Sequence, residues 1–112
     1  MELAVNKIGE VGVAEVLVDE LDAANAPDFK RDITPVVETH TKLVLDLSRL
    51  RFVDSSGLGA ILSCLRQVSA KGGDVKLCCV SKQVWTSFDL MRMHRIFDIY
   101  PTRADAVSAF EL

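Results

Sequence analysis

The pattern of apolar and polar positions at the start of the chain predicts a β-hairpin. Two short apolar runs, residues 3–8 and 11–18, flank Gly9 and Glu10, which suit a tight turn between two strands. A third run, residues 42–47, is almost continuously apolar. That pattern is typical of a strand inside a sheet, covered on at least one face.

Between the hairpin and this strand, the apolar positions change to helical spacing. They are Phe29, Ile33, Val36 and Val37. Either Asp22 or Asn25 can cap such a helix, and Pro27 suits its first turn. Pro35 lies inside the pattern. Because an interior proline removes a backbone hydrogen bond, we expect a kink or an early stop there.

A second helix, more strongly amphipathic, follows a short apolar pair at residues 52–53. Its expected inward stripe consists of Leu58, Ile61, Leu62, Leu65 and Ser69. Ser56 suits the N-cap position, which leaves Ser55 just outside the helix and exposed. Gly72 and Gly73 follow the helix, and glycine is common directly after a helix terminus.

The last third of the chain repeats the alternation of strand and helix. Strands are predicted over residues 75–80 and 96–100, and the helices that follow them are capped by Ser81 and Thr102. The expected inward residues of these helices are Val84, Trp85, Phe88 and Met91, then Ala106, Val107 and Phe110. The order β-β-α-β-α-β-α-β-α predicts an α/β fold, with a mixed, mostly parallel sheet and about four helices.

The composition supports one domain covering residues 1–112. Apolar residues make up 49% of the chain and charged residues 26%, which is the balance of a domain with its own core. The formal net charge is −3 and no basic cluster stands out, so we expect no nucleic-acid partner. No signal peptide is visible and no apolar run approaches the ~20 residues of a membrane span, so we expect a cytoplasmic protein without a membrane partner.

The three cysteines, Cys64, Cys78 and Cys79, are expected to be reduced thiols of the interior. Adjacent cysteines in a strand should point to opposite faces of the sheet. The sequence contains no C-x-x-C pair and no second ligand cluster for zinc. We therefore expect no metal site and no cofactor.

The segment from Asp54 to Gly59 is the most informative one for function. It places two serines where the backbone N–H groups at the start of a helix are unpaired. Gly57 and Gly59 are poor helix formers, each costing up to ~1 kcal/mol relative to alanine. Their presence indicates close approach, either by a partner chain or by another part of the domain. From the residues alone, the serines either cap the helix only or carry a function.

Two neighbouring segments carry a family resemblance: Leu45-Asp46-Leu47-Ser48 and Asp54-Ser55-Ser56-Gly57-Leu58-Gly59. Together they resemble the signature of the STAS domain (sulfate transporter and anti-sigma factor antagonist) family, and more narrowly that of the stand-alone bacterial anti-sigma factor antagonists. Further similarity lies in Glu20-Leu21-Asp22, Gly72-Gly73-Asp74 and Phe88-Asp89-Leu90. The resemblance covers nearly the whole chain and implies a single STAS-type domain with a four- or five-stranded sheet, wound as a β-α superhelix.

In the antagonists, the first serine of this motif accepts a phosphoryl group, so the resemblance implies that Ser55 is a phosphorylation site. The implied partner is an anti-sigma factor that is also a serine kinase. The unphosphorylated antagonist binds this kinase and frees a sigma factor, phosphorylation releases the antagonist, and a serine phosphatase resets it. The residues expected at the partner interface are Asp22, Asp54, Ser55, Ser56, Gly57 and Leu58.

Two departures and two alternatives accompany this hypothesis. Asp19 replaces the glycine of the family's Gly-Glu-Leu-Asp and adds charge beside the expected interface, and Pro35 is unusual in the first helix. A STAS subunit of another assembly is the first alternative: a transporter accessory, a part of a stress-sensing complex, or a kinase-controlled switch whose output is not a sigma factor. An enzyme with Ser55 as its nucleophile is the second. The segment does not match Gly-x-Ser-x-Gly, and the candidate bases are His40 and His94, so we expect no enzyme.

Overall fold

The structure is a computed structural model and describes residues 1–111. A hairpin is followed by alternating strands and helices, in the order that the sequence predicts. The strands are β1 (Leu3–Ile8), β2 (Val11–Val16), β3 (Glu20–Leu21), β4 (Lys42–Asp46), β5 (Phe52–Val53), β6 (Asp74–Cys78) and β7 (Ile99–Tyr100). The helices are α1 (Ala26–Thr39), α2 (Ser55–Ser69), α3 (Lys82–Leu90) and α4 (Arg103–Glu111), with a 3₁₀ helix at Met93–Arg95.

The main sheet has the strand order β1-β2-β4-β6-β7 within the described residues. β1 runs antiparallel to β2, and all other neighbours in this sheet are parallel. The predicted mixed, mostly parallel α/β fold is therefore confirmed. A parallel pair of two-residue strands, β3 with β5, lies outside the main sheet. The sequence did not predict this pair, because strands so short carry no periodic pattern.

Helices cover the sheet on both faces, which explains the continuous apolar run of β4. Leu43 and Leu45 point into the larger core, which they share with side chains of α1, α2 and α3. Val44 points to the opposite face and packs with Ala106 and Val107 of α4. Alternate residues of a single strand thus contribute to two cores, and both faces of the middle of the strand are apolar.

Helix α1 continues through Pro35 to Thr39, so the expected early stop is wrong. Val36 and Val37, which follow the proline, are both buried. A fully buried valine contributes about 1.5–3 kcal/mol. Two of them offset the ~3 kcal/mol that an interior proline costs a helix. The helix begins directly after Asn25, one of the two predicted caps.

The buried face of α2 is rotated relative to the expected stripe. It consists of Gly57, Leu58, Ala60, Ile61, Cys64 and Val68. Leu62 and Leu65 are only half-buried, and Ser69 is exposed. The prediction followed the largest apolar side chains, whereas small residues face the interior here, where the helix lies very close to neighbouring backbone.

The remaining elements are confirmed with shorter bounds, since β2, β6 and β7 each span fewer residues than predicted. Ser81 and Thr102 cap α3 and α4 as expected, each accepting a hydrogen bond from a backbone N–H three residues later. Trp85 and Met91, both predicted to face inward, are exposed. No helix within residues 1–111 combines the length and apolar character needed to cross a bilayer.

Candidate functional site

The start of α2 is capped by Asp54, and the two serines are its first helical residues. Asp54 has an extended backbone, and its Oδ1 atom accepts a hydrogen bond of 2.9 Å from the Gly57 N–H. The prediction that Ser56 is the N-cap is therefore wrong. Because the pairing of β5 with β3 ends at Val53, Asp54 is the residue that takes the cap conformation. Ser55 and Ser56 are both exposed, and neither side chain is used for capping.

The Asp54 carboxylate also joins α2 to the loop that precedes α1. Its Oδ2 atom accepts a hydrogen bond of 3.1 Å from the Ala23 N–H. The backbone donors, Gly57 first and then Ala23, lower the pKa of Asp54 against the opposing effect of desolvation. Asp54 is therefore ionised at neutral pH and places a fixed negative charge beside Ser55.

Asp22 uses its side chain to form a tight turn. Its Oδ1 atom accepts hydrogen bonds from the N–H groups of Ala24 at 3.0 Å and Asn25 at 3.3 Å. In return, the Asn25 Oδ1 atom accepts a hydrogen bond of 2.9 Å from the Asp22 N–H. This reciprocal turn holds the exposed residues Ala23 and Ala24 next to the start of α2. The partner contact expected of Asp22 stays a prediction.

Gly57 and Leu58 are buried, so they can position the site but offer little surface to a partner. A β-carbon at Gly57 would lie 2.2 Å from the Leu21 carbonyl oxygen and 2.7 Å from Val53 Cγ2. Close packing within the domain therefore explains this glycine. Gly59 differs, because nothing lies within 4 Å of the position of its missing β-carbon, and this part of α2 remains open to another chain.

A shallow apolar cavity of about 200 Å³ lies beside Ser55, between the start of α2 and the end of α3. Its lining consists of Val53, Asp54, Ser55, Leu58, Ser87, Leu90 and Met91. Leu90 is 79% exposed and Met91 is 53% exposed. Contiguous exposed apolar side chains are typical of interaction sites. We call Ser55, Ser56, Leu90, Met91 and this cavity the serine face.

Sequence reasoning missed the apolar part of the serine face. Met91 was predicted to face inward with Val84 and Phe88, but α3 ends at Leu90 and Met91 is only its C-cap. The available signal was Leu90 itself, a large apolar residue that falls outside the inward stripe of its helix.

The two histidines are engaged away from Ser55. The Nδ1 atom of His40 lies 2.9 Å from the carbonyl oxygen of Val36. His94 is exposed, and its Nδ1 atom lies 4.0 Å from a carboxylate oxygen of Asp89. Within residues 1–111 neither histidine hydrogen-bonds to Ser55, although an activated serine nucleophile needs a base at that distance.

A second polar cluster, not anticipated from the sequence, lies at the ends of β4 and β6. Arg103 donates hydrogen bonds of 2.7 and 3.0 Å to Asp46 Oδ2 and one of 2.9 Å to Glu15. Burial raises the pKa of Asp46, but hydrogen bonds from Ser48 and Arg103 outweigh that effect and lower it. Asp46 is only 4% exposed, so it is a buried charge with a fixed partner.

The cysteines belong partly to this cluster. Cys64 and Cys78 are buried, and Cys79 is half-buried. Cys79 lies beyond the end of β6 and has a φ angle of 63°, so the alternation of a strand does not apply to it. The two neighbouring Sγ atoms and an Asp46 carboxylate oxygen all lie within 4.8 Å of one another. The expectation that these thiols point to opposite faces is wrong.

The strand order and the exposed serines together define a class of protein, a small α/β domain that presents the start of one helix at its surface. A comparison with family models agrees with this description. The chain belongs to the STAS domain family, whose model matches residues 4–106.

Individual relatives of the chain point to a narrower group within the family. It is 36% identical over 70 residues to the anti-sigma F factor antagonist of Paenibacillus polymyxa, covering 62% of this chain and 60% of that protein. It is 29% identical over 83 residues to the anti-sigma-B factor antagonist of Bacillus subtilis, covering 74% and 76% of the two chains. The crystal structure of an anti-sigma factor antagonist from Mycobacterium paratuberculosis matches with a TM-score of 0.86 at 27% identity, over 96% of this chain and 92% of that one. The similarity to anti-sigma factor antagonists predicted from the motif is confirmed.

Proposed function

We propose that this chain is an anti-sigma factor antagonist that acts by partner switching. In its unphosphorylated form it binds an anti-sigma factor that is also a serine kinase, and thereby frees the sigma factor. Phosphorylation of Ser55 by that kinase releases the chain, and a serine phosphatase returns it to the binding form. We place this cycle in the cytoplasm. The names of the relatives support the class, and the geometry of Ser55 supports the switch.

The observation that carries the proposal is that Ser55 is exposed in the first turn of α2 while Asp54 performs the capping. A capping serine would be tied to the helix by its hydroxyl oxygen. Because the Ser55 side chain forms no capping hydrogen bond, its hydroxyl can enter the active site of a kinase without disrupting the helix. Exposure alone does not distinguish Ser55 from Ser56, so the choice of Ser55 rests on its place in the motif.

A phosphate on Ser55 is compatible with the folded domain. It adds about −1.5 to −2 charges, and the start of a helix favours an anion through its free N–H groups and its dipole. The ionised Asp54 opposes this effect, but both groups are in contact with solvent, where charges are screened. The fold therefore tolerates the modified residue.

The same phosphate is unfavourable in a docked complex. There it would be desolvated beside Asp54, and an uncompensated buried charge costs several kcal/mol. A loss of about 3–4 kcal/mol weakens binding several-hundred-fold, since each 1.4 kcal/mol is about tenfold. Phosphorylation can therefore switch binding with no change of fold.

The apolar part of the serine face supplies the complementary attraction. Leu90 and Met91 lie beside Ser55 and are largely exposed, and burial of one such side chain contributes about 1.5–3 kcal/mol. A partner that covers these side chains must also cover the Ser55 hydroxyl. The residues that attract the partner and the residue that repels it after phosphorylation are thus neighbours.

We propose binding, and not catalysis, as the activity of this chain. STAS antagonists are binding proteins, His40 is engaged by the Val36 carbonyl oxygen, and the nearest carboxylate to His94 is that of Asp89. The chemical step of the cycle, phosphoryl transfer to a serine hydroxyl, is assigned to the partner kinase, which supplies the nucleotide.

Matched serine variants test the site. Phosphate incorporation would be measured by mass spectrometry after incubation with the partner kinase and ATP, for wild type, Ser55→Ala and Ser56→Ala. We expect phosphate on wild type and on Ser56→Ala, and none on Ser55→Ala. Phosphate on Ser55→Ala at the wild-type level would overturn the assignment of Ser55.

Co-purification from the native cell tests the partner. Tagged Ser55→Ala should retain a kinase, and tagged Ser55→Asp should lose it, because the carboxylate imitates part of the phosphate charge. If both variants retain the same partners equally, partner switching at Ser55 is wrong. If Ser55→Ala retains a transporter or a stress-sensing complex without a kinase, the chain is a STAS subunit of that assembly.

A further inference from the structure

A cluster of metal-ligating atoms lies outside the serine face, at the carboxyl ends of β4 and β6. Asp46 and Cys78 are partners in the register of these parallel strands, so their side chains are neighbours on the face that α4 covers. The Sγ atoms of Cys78 and Cys79 and one carboxylate oxygen of Asp46 all lie within 4.8 Å of one another. Three ligand atoms of two chemical types therefore converge on one point.

The backbone of Cys79 is what brings the second thiol to this point. Its φ angle of 63° lies in the left-handed region, which residues other than glycine rarely adopt. In an ordinary extended conformation, the side chain of Cys79 would point away from that of Cys78. The left-handed turn places both thiols on the same side, next to Asp46.

We propose that Cys78, Cys79 and Asp46 form a binding site for a thiophilic divalent cation, with Zn²⁺ as the biological candidate. Two thiolates and one carboxylate are a donor set that Zn²⁺ accepts, and the fourth position of its tetrahedron would be taken by water. Each thiol releases its proton to solvent as the sulfur–metal bond forms, and nothing is oxidised or reduced.

The distances allow the site to close around a cation. Tetrahedral Zn²⁺ with sulfur at ~2.3 Å and oxygen at ~2.1 Å sets its ligand atoms roughly 3.4–3.8 Å apart. The ligand atoms are at most 4.8 Å apart, so side-chain rotations of small amplitude suffice. Cys79 is half-buried, and this exposure gives a cation a path from solvent.

The surrounding charges suit the bound state. Two thiolates, a carboxylate and a divalent cation together carry one net negative charge. Arg103 donates two hydrogen bonds to Asp46 and one to Glu15, so these three groups carry one net negative charge, and a divalent cation with two thiolates leaves that charge unchanged. Both of the bonds to Asp46 go to Oδ2, and Oδ1 accepts one hydrogen bond from the Ser48 N–H, so a lone pair on Oδ1 remains for the cation.

Titration of the purified full chain with Zn²⁺ and Cd²⁺ tests the site. Zn²⁺ binding would be measured by calorimetry, and Cd²⁺ binding by the thiolate-to-metal charge-transfer absorption in the ultraviolet. We expect one cation per chain. Saturating Zn²⁺ should raise the Tm by roughly 10 °C at a free concentration about one hundred times the Kd. A wild-type chain without charge-transfer absorption at equimolar Cd²⁺ overturns the proposal.

Two matched cysteine variants locate the ligands. Cys79→Ala removes a half-buried ligand and should weaken binding by more than about 100-fold, beyond the effect of losing a residue that merely orients a ligand. Cys64→Ala removes the third thiol, which lies in the other core, and should bind as wild type does. Equal affinity of wild type and Cys79→Ala would assign the cation to other groups and overturn the site. The titration of the wild-type chain can contradict the proposed site by itself, so the test does not depend on whether the two variants fold.

Discussion

Two aspartates eight positions apart, Asp46 and Asp54, show how differently one loop uses the same side chain. Asp46 ends β4, is buried, and forms a charge pair with Arg103 from the other end of the chain. Asp54 precedes α2 near the surface, and its side chain accepts hydrogen bonds from the backbone N–H groups of Gly57 and Ala23. Asp46 thus joins distant parts of the fold, whereas Asp54 fixes the local geometry in which Ser55 is presented. One carboxylate therefore connects distant segments, and the other shapes the helix start where we propose the switch.

The largest loss of stability should come from breaking the buried pair of Asp46 and Arg103. Asp46→Ala leaves Arg103 without its main partner, and removal of one member of such a pair costs about 3–5 kcal/mol. We expect the lower end of that range, because the Arg103 side chain is 32% exposed. The free energy of unfolding, measured with urea, checks this value.

A double variant serves as the control for that prediction. Asp46→Ala combined with Arg103→Met removes both charges and should be less destabilised than Asp46→Ala alone. A loss of less than about 1 kcal/mol for Asp46→Ala would mean that the pair behaves as a surface ion pair, and the contrast with Asp54 would disappear.

Substitution of the two glycines of α2 by alanine should change the stability in opposite directions. Gly57→Ala places a β-carbon 2.2 Å from the Leu21 carbonyl oxygen, and such overpacking should cost about 1–3 kcal/mol. Gly59→Ala meets no atom within 4 Å and should stabilise the chain by up to ~1 kcal/mol, because alanine is the better helix former. Urea unfolding of both variants measures the two values. If Gly57→Ala is as stable as wild type or more stable, the close contact between α2 and β3 is wrong.

Removal of the Asp54 cap should lower the stability by a smaller amount, and that amount should depend on pH. The folded pKa of Asp54 is lower than its unfolded value, so its stabilisation is complete above the unfolded pKa of about 3.9 and is lost as the pH falls through the folded pKa. Asp54→Ala should lower the Tm by several degrees at neutral pH, as loss of an N-cap usually does.

Thermal unfolding of wild type and Asp54→Ala across a pH series checks this. The difference in Tm should shrink as the pH is lowered below about 4, and Ser56→Ala, which removes a side chain that does not cap, should change little at any pH. A constant difference in Tm down to strongly acidic pH would show that the Asp54 carboxylate does not carry the stabilisation.

The smallest effect on the fold should come from the site that we propose as the switch. Ser55→Asp changes an exposed side chain, and such substitutions usually alter stability by less than about 0.5 kcal/mol. Amide chemical shifts of Ser55→Asp should change only near residues 53–58 and in the loop around Ala23. Changes that extend across the main sheet would contradict a purely local switch.

The order of the elements was predictable because long apolar repeats decide it. The run of β4 and the spacing of Phe29, Ile33 and Val37 hold in the structure. Local details depend on tertiary contacts and were missed. Three consecutive residues, Asp54, Ser55 and Ser56, can each cap a helix, and only the pairing of β5 with β3 decides among them.

The candidate site was predictable to a different extent. The motif led to the exposed Ser55, although it did not reveal that Gly57 and Leu58 are buried beneath it. The Cys79 turn was not predictable, and for the apolar half of the serine face the sequence offered only the position of Leu90 outside the inward stripe of its helix. A left-handed φ angle at a cysteine has no sequence signature, and the exposure of Leu90 depends on where α3 ends.

The close contact between Gly57 and the Leu21 carbonyl bears on how quickly the domain can respond to a modification at Ser55. The same carbonyl accepts a hydrogen bond from the Asp54 N–H at 3.3 Å, so two contacts hold the start of α2 against β3. Under the proposed function, a signal at Ser55 is therefore carried by the phosphate itself and not by a rearrangement of the domain. The protein in the cell then consists of a phosphorylated and an unphosphorylated form, and the ratio of kinase to phosphatase turnover sets their proportions. No conformational step delays the change from one form to the other.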